Sequence, residues 1–338
     1  MILYIGNILS SKGLNPPPIE SMKDKICESI GKKMILVSNK RNMWVRFLHM
    51  NLVYFWYFRK VSIIFLDVYS TKAFYYTFYF AFLSKIFSHK YISVVHGGNI
   101  ENRIKKSKWM TNFVFENSNA NIIPSIYVES IFKKHNFKTT YIPNCIDFSK
   151  YKFKIRKEIR PRIMWLRSFH DIYNPKMAIE ILRILNEDYN DVKLTMVGPD
   201  KDGSLKKCLE LSKKYKLNKK VEFVGYLRKI EWLEIARDHD IFINTSTIDN
   251  MPVSILEMMA LGLPIVSTNV GGIPFILKTG ENSLLVKNND CKSMASSIKY
   301  LINEPLFANK ISMNALNSLK PFSAELVVPK WIKIIKTV

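Results

Sequence analysis

A chain of 338 residues with 48% apolar content is globular rather than disordered, and its length favours two domains over one. Lys and Arg number 51 against 28 Asp and Glu, a formal charge of +23, and 23 of the basic but only 8 of the acidic residues fall in 1–155, a net of +15 there. Such a field selects an anionic partner, whether phosphorylated small molecule, membrane surface or nucleic acid, although part of the lysine excess is a bias of the whole chain. Cys27, Cys145, Cys208 and Cys291 are scattered, which excludes a disulfide-stapled scaffold and points to a reducing, cytoplasmic compartment.

The opening MILYIGN, residues 1–7, predicts a buried strand with no basic segment before it, so no signal peptide is read. The loop ILSSKGLNPPP (8–18) holds Gly13 and three prolines and leads into the amphipathic IESMKDKICESIG. Strands follow at 33–38, 62–66, 91–96, 120–125 and 139–144, with helical material between them. That alternation is the mark of an α/β architecture with mostly parallel sheets.

Within this half, 43–87 is strongly aromatic. Its longest uncharged runs, FLHMNLVYFWYF (47–58) and AFYYTFYFAFLS (73–84), are 12 residues each, short of the roughly 20 that a spanning helix needs. Arg46, Arg59, Lys60, Lys72, Lys85 and Lys90 interleave with them, as expected of a surface that leans on an anionic bilayer; a buried helix pair with basic ends gives the same pattern.

The charged, proline-ended stretch SKYKFKIRKEIRP (149–161) reads as a linker. A second α/β unit follows, with strands at 162–168, 192–198, 221–226, 241–246 and 264–269. The pattern divides the chain into an N-terminal Rossmann-like domain (1–155), a C-terminal Rossmann-like domain (156–322) and a tail helix (323–338), interrupted or initiated near Pro329, that packs across the boundary.

No GxGxxG follows the opening strand and no GxxxxGK[ST] occurs, so the dinucleotide and P-loop readings lose their main support. Ligands of open α/β sheets bind beyond the carboxyl ends of strands, which places His96 of HGGN (96–99), Arg167, Gly198 and Asp249 at binding crevices. In TSTIDNMPVSILEMMALGLPIVST (245–268) a strand and a turn lead to Pro252, suited to a helix start, and Gly262 suits its left-handed cap. The helix N-terminus then offers N–H groups to an anion or a sugar hydroxyl. Glu257 lies one to two turns in, on an otherwise apolar helix where a carboxylate needs a partner. Without a ligand, Asp249 reads as a helix cap and Glu257 as the pair of a nearby lysine.

This segment resembles the nucleotide-sugar site of retaining GT-B glycosyltransferases of family 4, whose pattern is SxxEGxPxxxLEAMAxGxPVVxxxxGG. Ser246, Asp249, Pro252, Leu256, Glu257, Met259, Ala260, Gly262, Pro264, Gly271 and Gly272 match it, with Asp249 in place of the usual first glutamate. NIIPSIYVESIF and YIPNCID (121–147), IMWLRS (163–168), MVGP (196–199) and the run 221–246 extend the resemblance over 90–338; residues before 90 resemble the family only loosely. The resemblance implies two Rossmann-like domains facing across a cleft. It implies that Glu257 binds the ribose, that Asp249 and the amides near Met251, Pro252 and Val253 hold the donor sugar and phosphate, and that Arg167 neutralises the diphosphate. The family's lysine six residues beyond the arginine is Tyr173 here, which leaves Lys176 as substitute. His96 matches the histidine near the transferred sugar, and the loop around Gly13 matches the glycine loop near phosphates and acceptor. The acid usual after GG(x)P is Phe275.

The reading that follows is transfer of a hexose or N-acetylhexosamine, with retention, from a UDP- or GDP-sugar to a lipid-linked or polysaccharide acceptor in cell-surface glycan synthesis. Arg167 and helix amides stabilise the leaving diphosphate, so no metal or other cofactor is required, and the DHD at 238–240 reads as a surface turn plus strand start rather than a metal-binding DxD. The expected place is the cytoplasmic face of a bacterial membrane. No aromatic-basic motif for nucleic acid stands out. The competing readings are a nucleotide-sugar epimerase of the same fold and a noncatalytic basic module binding a membrane or nucleic acid.

Overall fold

The structure is a computed structural model that describes residues 1–9, 17–96 and 99–338, Pro18 by its backbone only. Gly13, assigned above to the donor loop, lies outside the described residues, as do Gly97 and Gly98 of the HGGN turn. The chain divides into two compact units, Met1–Cys145 with Phe322–Val338, and Ile146–Pro321.

The first unit holds β1 (Ile2–Ile5), α1 (Pro18–Ile30), β2 (Met34–Val37), α2 (Met43–Trp56), β3 (Ile63–Val68), α3 (Phe74–Ile86) and β4 (Tyr91–Val95). It continues with α4 (Ile100–Lys106), α5 (Lys108–Glu116), β5 (Ala120–Ile123), α6 (Ile126–Lys134) and β6 (Thr140–Tyr141). All pairings are parallel, in the order β2-β1-β3-β4-β5-β6. Residues alternate between the faces of a strand, so Leu3, Ile5, Ile64 and Leu66 enter one core while Ile2, Tyr4, Ile63 and Phe65 enter the other. A parallel sheet covered on both faces needs such continuous apolar strands.

The second unit holds β7 (Arg162–Leu166), α7 (Pro175–Leu185), β8 (Lys193–Val197), α8 (Ser204–Lys214), β9 (Val221–Gly225), α9 (Lys229–Arg237) and β10 (Ile241–Asn244). It ends with α10 (Val253–Leu261), β11 (Ile265–Thr268), β12 (Leu284–Val286), α11 (Cys291–Asn303) and α12 (Pro305–Asn317). Its strands, again all parallel, lie in the order β12-β11-β10-β7-β8-β9. Both units are thus Rossmann-like. Each of the eleven strands read from the sequence is present; β12, three residues long, lacks enough pattern to stand out there.

Two segments depart from the sequence reading. Residues 149–161 are not a free linker but a strap on the second unit: Arg156 is buried there and donates to the carbonyls of His239 and Gly262 (3.0 and 2.7 Å) and to Asp240 Oδ1 (3.2 Å). Arg160 closes on Asp240 Oδ2 at 2.6 Å, so the DHD stretch is the exposed turn at Asp238 and the start of β10 read from the sequence, with His239 and Asp240 buried as a structural anchor. The tail is one helix, α13 (Ala324–Thr337), continuous through Pro329. It contacts α1, buries Val327, Val328, Trp331 and Ile335 and sets the Trp331 ring 5.7 Å from Phe65, apolar burial that offsets the roughly 3 kcal/mol an interior proline costs a helix.

Candidate functional site

The strand order of the second unit reverses between β7 and β10, and a doubly wound sheet opens its binding crevice beyond the carboxyl ends at that reversal. Arg167 leaves β7 there, and the 245–250 loop leaves β10. Side-chain bonds hold these loops together. Trp165 Nε1 donates to Thr245 Oγ1 (3.0 Å), which donates to the Tyr173 carbonyl (2.7 Å), and both the amide and the hydroxyl of Thr247 reach the Ile172 carbonyl. The buried arrangement is therefore preorganised.

Arg167 lies against the Asp249 carboxylate, with its guanidinium 4.6 Å from the centre of the Tyr173 ring. Burial lowers its pKa from the ordinary value, an effect opposed by Tyr173 and Glu257; an arginine so shifted remains a cation at neutral pH. Its Nε is buried without an acceptor among the described residues. Such an unanswered N–H is costly, and an anionic oxygen is the kind of acceptor that would satisfy it.

Asp249 Oδ1 accepts from the Asn250 amide at 2.9 Å, and Gly272 N donates to the Asp249 carbonyl at 2.9 Å. Gly271 and Gly272 permit that approach, because a Cβ on either would lie 2.1 or 1.7 Å from the carbonyl oxygen of Asp249 or Asn250. Met251 and Pro252 are buried beside them. Pro252 occupies the cap position of α10, one residue ahead of the helix, and no side chain among the described residues caps that end. Ile255 N closes on the Pro252 carbonyl at 3.1 Å, which leaves Val253 and Ser254 as the first-turn amides without a partner among the described residues and open to a ligand. Gly262 ends the helix with φ +77°, as read from the sequence.

Glu257 is buried in α10. One oxygen, Oε1, accepts from the Tyr151 hydroxyl and pairs with Lys229 Nζ, each at 2.9 Å. Lys229 also lies 4.9 Å from the Tyr151 ring centre. Burial, then the Glu257 charge, raises the Tyr151 pKa far above its usual value, so the phenol stays a donor. The pairing of Glu257 with a lysine is the alternative the sequence allowed, but neither residue was identified there: Tyr151 sat in the apparent linker, and Lys229 opens α9 just past a strand end, the one signal that marks it.

Gly198 leaves β8 with φ +149°, and a Cβ on it would lie 1.8 Å from the Arg167 carbonyl oxygen; it shapes the crevice by close backbone approach. Lys176 is exposed on the first turn of α7 and makes no ion pair or hydrogen bond among the described residues. The position of the missing lysine, Tyr173, is used as a stacking platform for Arg167.

In the first unit the strand order reverses between β1 and β3, and a buried acid stands there. Asp67, on β3, accepts from the Tyr4 hydroxyl, from the Tyr69 hydroxyl at 3.0 Å and from His96 Nε2 at 2.6 Å. Burial first and the Asp67 charge second push both phenols well above their ordinary pKa. With Nε2 engaged by Asp67, Nδ1 is the ring nitrogen that the carboxylate does not occupy. The Tyr69 ring stacks on the imidazole at 5.3 Å. Asp67 escaped the sequence reading because the strand was ended at Leu66; an acid closing an apolar strand was the available signal.

Among the described residues no three His, Cys, Asp or Glu side chains gather as metal ligands. Residues 147–318 match the family described as Glycosyl transferases group 1. A UDP-Gal:alpha-D-GlcNAc-diphosphoundecaprenol alpha-1,3-galactosyltransferase of Escherichia coli is 24% identical over 68% of this chain and 64% of its own length; the next curated relatives are matched over less than half of theirs. The crystal structure of Anabaena Alr3699/HepE in complex with UDP and glucose superposes with a TM-score of 0.79 at 15% identity, covering 100% of this chain and 99% of that one. The sucrose-phosphate synthase of Thermosynechococcus elongatus gives 0.81 at 15% identity over 99% and 98%. These two structures establish a shared GT-B fold. Because the family match spans half the chain and contains Arg167, Asp249, Glu257 and the capless start of α10, the protein belongs to the group 1 glycosyltransferase family.

Proposed function

We propose that the protein transfers a sugar, with retention of configuration, from a UDP- or GDP-sugar to a lipid-linked or polysaccharide acceptor in cell-surface glycan synthesis, working at the cytoplasmic face of the membrane. The observation that carries this is the juxtaposition, at one strand reversal, of a buried guanidinium with an unanswered N–H, an uncapped helix start and a buried carboxylate. The chemistry follows from that set. As the bond from sugar to diphosphate breaks, negative charge grows on the leaving phosphate, and Arg167 with the α10 amides opposes it without reorganisation. Glu257, its carboxylate held by Tyr151 and Lys229, takes the ribose hydroxyls. His96, oriented by Asp67, contacts the transferred sugar. No protein nucleophile is assigned, in keeping with front-face attack assisted by the leaving phosphate. The Escherichia coli relative, named for a UDP-sugar donor and a lipid diphosphate acceptor, supports the donor and acceptor classes.

The test is nucleoside diphosphate release from UDP- and GDP-sugars, with and without membrane lipid extract. Release from one donor, raised by lipid extract and abolished by Glu257→Ala, is expected. Release indifferent to Glu257 refutes the site, and an isomerised donor without transfer identifies an epimerase instead.

A further inference from the structure

Helix α2 is inverted relative to an ordinary surface helix. Trp44, Leu48, Leu52 and Trp56 are 77, 62, 71 and 81% exposed, with Phe55 at 51%. At 100° per residue these positions share one face of the helix. The opposite face buries Arg46, which donates to Asn7 Oδ1 (2.6 Å) and to the carbonyls of Lys40 and Arg41 (2.7 and 2.9 Å). His49, on the same side, reaches Ser38 Oγ at 2.8 Å. The guanidinium is inside and the indoles are outside. Single exposed apolar residues are ordinary, but a contiguous stripe of this kind marks an interaction surface.

The surface continues beyond α2. Phe47 packs on Tyr76 and Tyr79 (5.9 and 4.9 Å), and Phe58 on Phe87 (4.9 Å). Those contacts join α2 and the turn after it to α3 and its C-cap, Phe87; α3 exposes Tyr75, Phe82 and Ile86. On α5, Trp109 packs against Phe78 at 5.4 Å and is itself exposed.

Charge says what covers it. Between residues 29 and 100 there are ten Lys or Arg and a single acid, Asp67, which is buried. The stripe of α2 lies between Lys40–Arg41 and Arg59–Lys60, all four exposed. A second copy laid on this face would bring like charges together with no acid on α2 or α3 to answer them. A bilayer rich in anionic lipid answers both features, with apolar depth for the stripe and phosphate for its ends, each basic residue near such a surface contributing about 1 kcal/mol. At 14 residues α2 is about 21 Å long, and no helix among the described residues is long and apolar enough to cross a membrane.

We propose that α2 lies flat in the interface of an anionic bilayer, its Trp44–Trp56 stripe below the headgroups and its basic ends among the lipid phosphates. The purpose of this docking rests on the membrane-bound reading above: it holds the enzyme where a lipid-linked acceptor is. Its evidence is independent of that reading.

The test is flotation of the full chain with phosphatidylcholine vesicles, with and without phosphatidylglycerol, together with tryptophan emission. The protein is expected to float with the anionic vesicles, with blue-shifted emission, and to stay behind with the neutral ones. Trp44→Ser combined with Trp56→Ser should weaken this binding about tenfold or more, and Arg59→Gln with Lys60→Gln should weaken it in a salt-dependent way. Because these side chains are exposed, melting temperature and nucleotide binding should not change, and Glu257→Gln should float like the unaltered protein, which separates a failure of docking from a failure of the transferase reading. Binding untouched by the α2 substitutions overturns the proposal, as does a stable dimer that they dissolve and that shows no affinity for vesicles.

Discussion

Replacing Glu257 by glutamine and by alanine separates its structural part from its part in binding. The Lys229 ion pair that glutamine removes is weak, since the Lys229 side chain is 44% exposed, and a pair of that kind contributes about 0–1 kcal/mol. Glutamine still offers an oxygen to the Tyr151 hydroxyl, now 2.9 Å from Oε1, so Glu257→Gln should lower unfolding free energy by less than about 1 kcal/mol. Alanine leaves that buried hydroxyl without its acceptor, and Glu257→Ala should cost a further 1–3 kcal/mol or so. Nucleotide binding should rank the two differently. A ribose hydroxyl bonded to a carboxylate contributes roughly 1.5–3 kcal/mol, so both variants should bind UDP or GDP about ten- to a hundredfold more weakly, and glutamine should do so with its fold intact. Calorimetric titration of the preferred nucleotide beside thermal melts reads both quantities. A Glu257→Gln protein that melts normally and binds nucleotide as tightly as before would falsify the assignment of Glu257 to the ribose.

Arg167→Met should lower kcat/KM by about a hundredfold or more, the usual loss of a cation facing transition-state charge, and Arg167→Lys should restore only part of it, because an ammonium neither stacks on Tyr173 nor presents a planar fork; full rescue by lysine counts against the diphosphate role. Asp67→Asn puts an amide among the Tyr4, Tyr69 and His96 donors, so it should destabilise the first unit by about 1–3 kcal/mol and lower kcat/KM by part of what His96→Ala costs; a folded Asp67→Asn protein with unaltered kcat/KM refutes the positioning role. His239 is buried, with Nδ1 2.7 Å from the Ile235 carbonyl and Nε2 2.8 Å from Thr195 Oγ1, and burial foremost lowers its pKa. The unfolded chain therefore takes up that proton first as pH falls below about 6.5, and stability is lost on the acid side. Melting curves across that range should flatten in His239→Gln; an equal acid loss in both proteins shows that other groups carry it.

The fold was legible in local pattern because strands buried on both faces must be apolar along their whole length, and helices must alternate with them if neighbours are parallel. The donor segment was legible for a similar reason: turn, proline, helix and closing glycine each leave a mark on adjacent residues, and the match to a family pattern around Glu257 gave that acid its proposed ligand. Contacts between residues distant in sequence leave no such mark. Tyr151 and Lys229 reach Glu257 from 106 and 28 positions away, and Arg156 turns an apparent linker into part of the second unit by reaching Asp240 and Gly262. The inside-out polarity of α2 was likewise invisible: the sequence shows Arg46 among aromatic residues, but only packing against the first sheet and its loops decides that the guanidinium finds acceptors inside while Trp44 and Trp56 face out. Periodicity reports which residues share a face; what that face meets is decided by chain segments that periodicity cannot see.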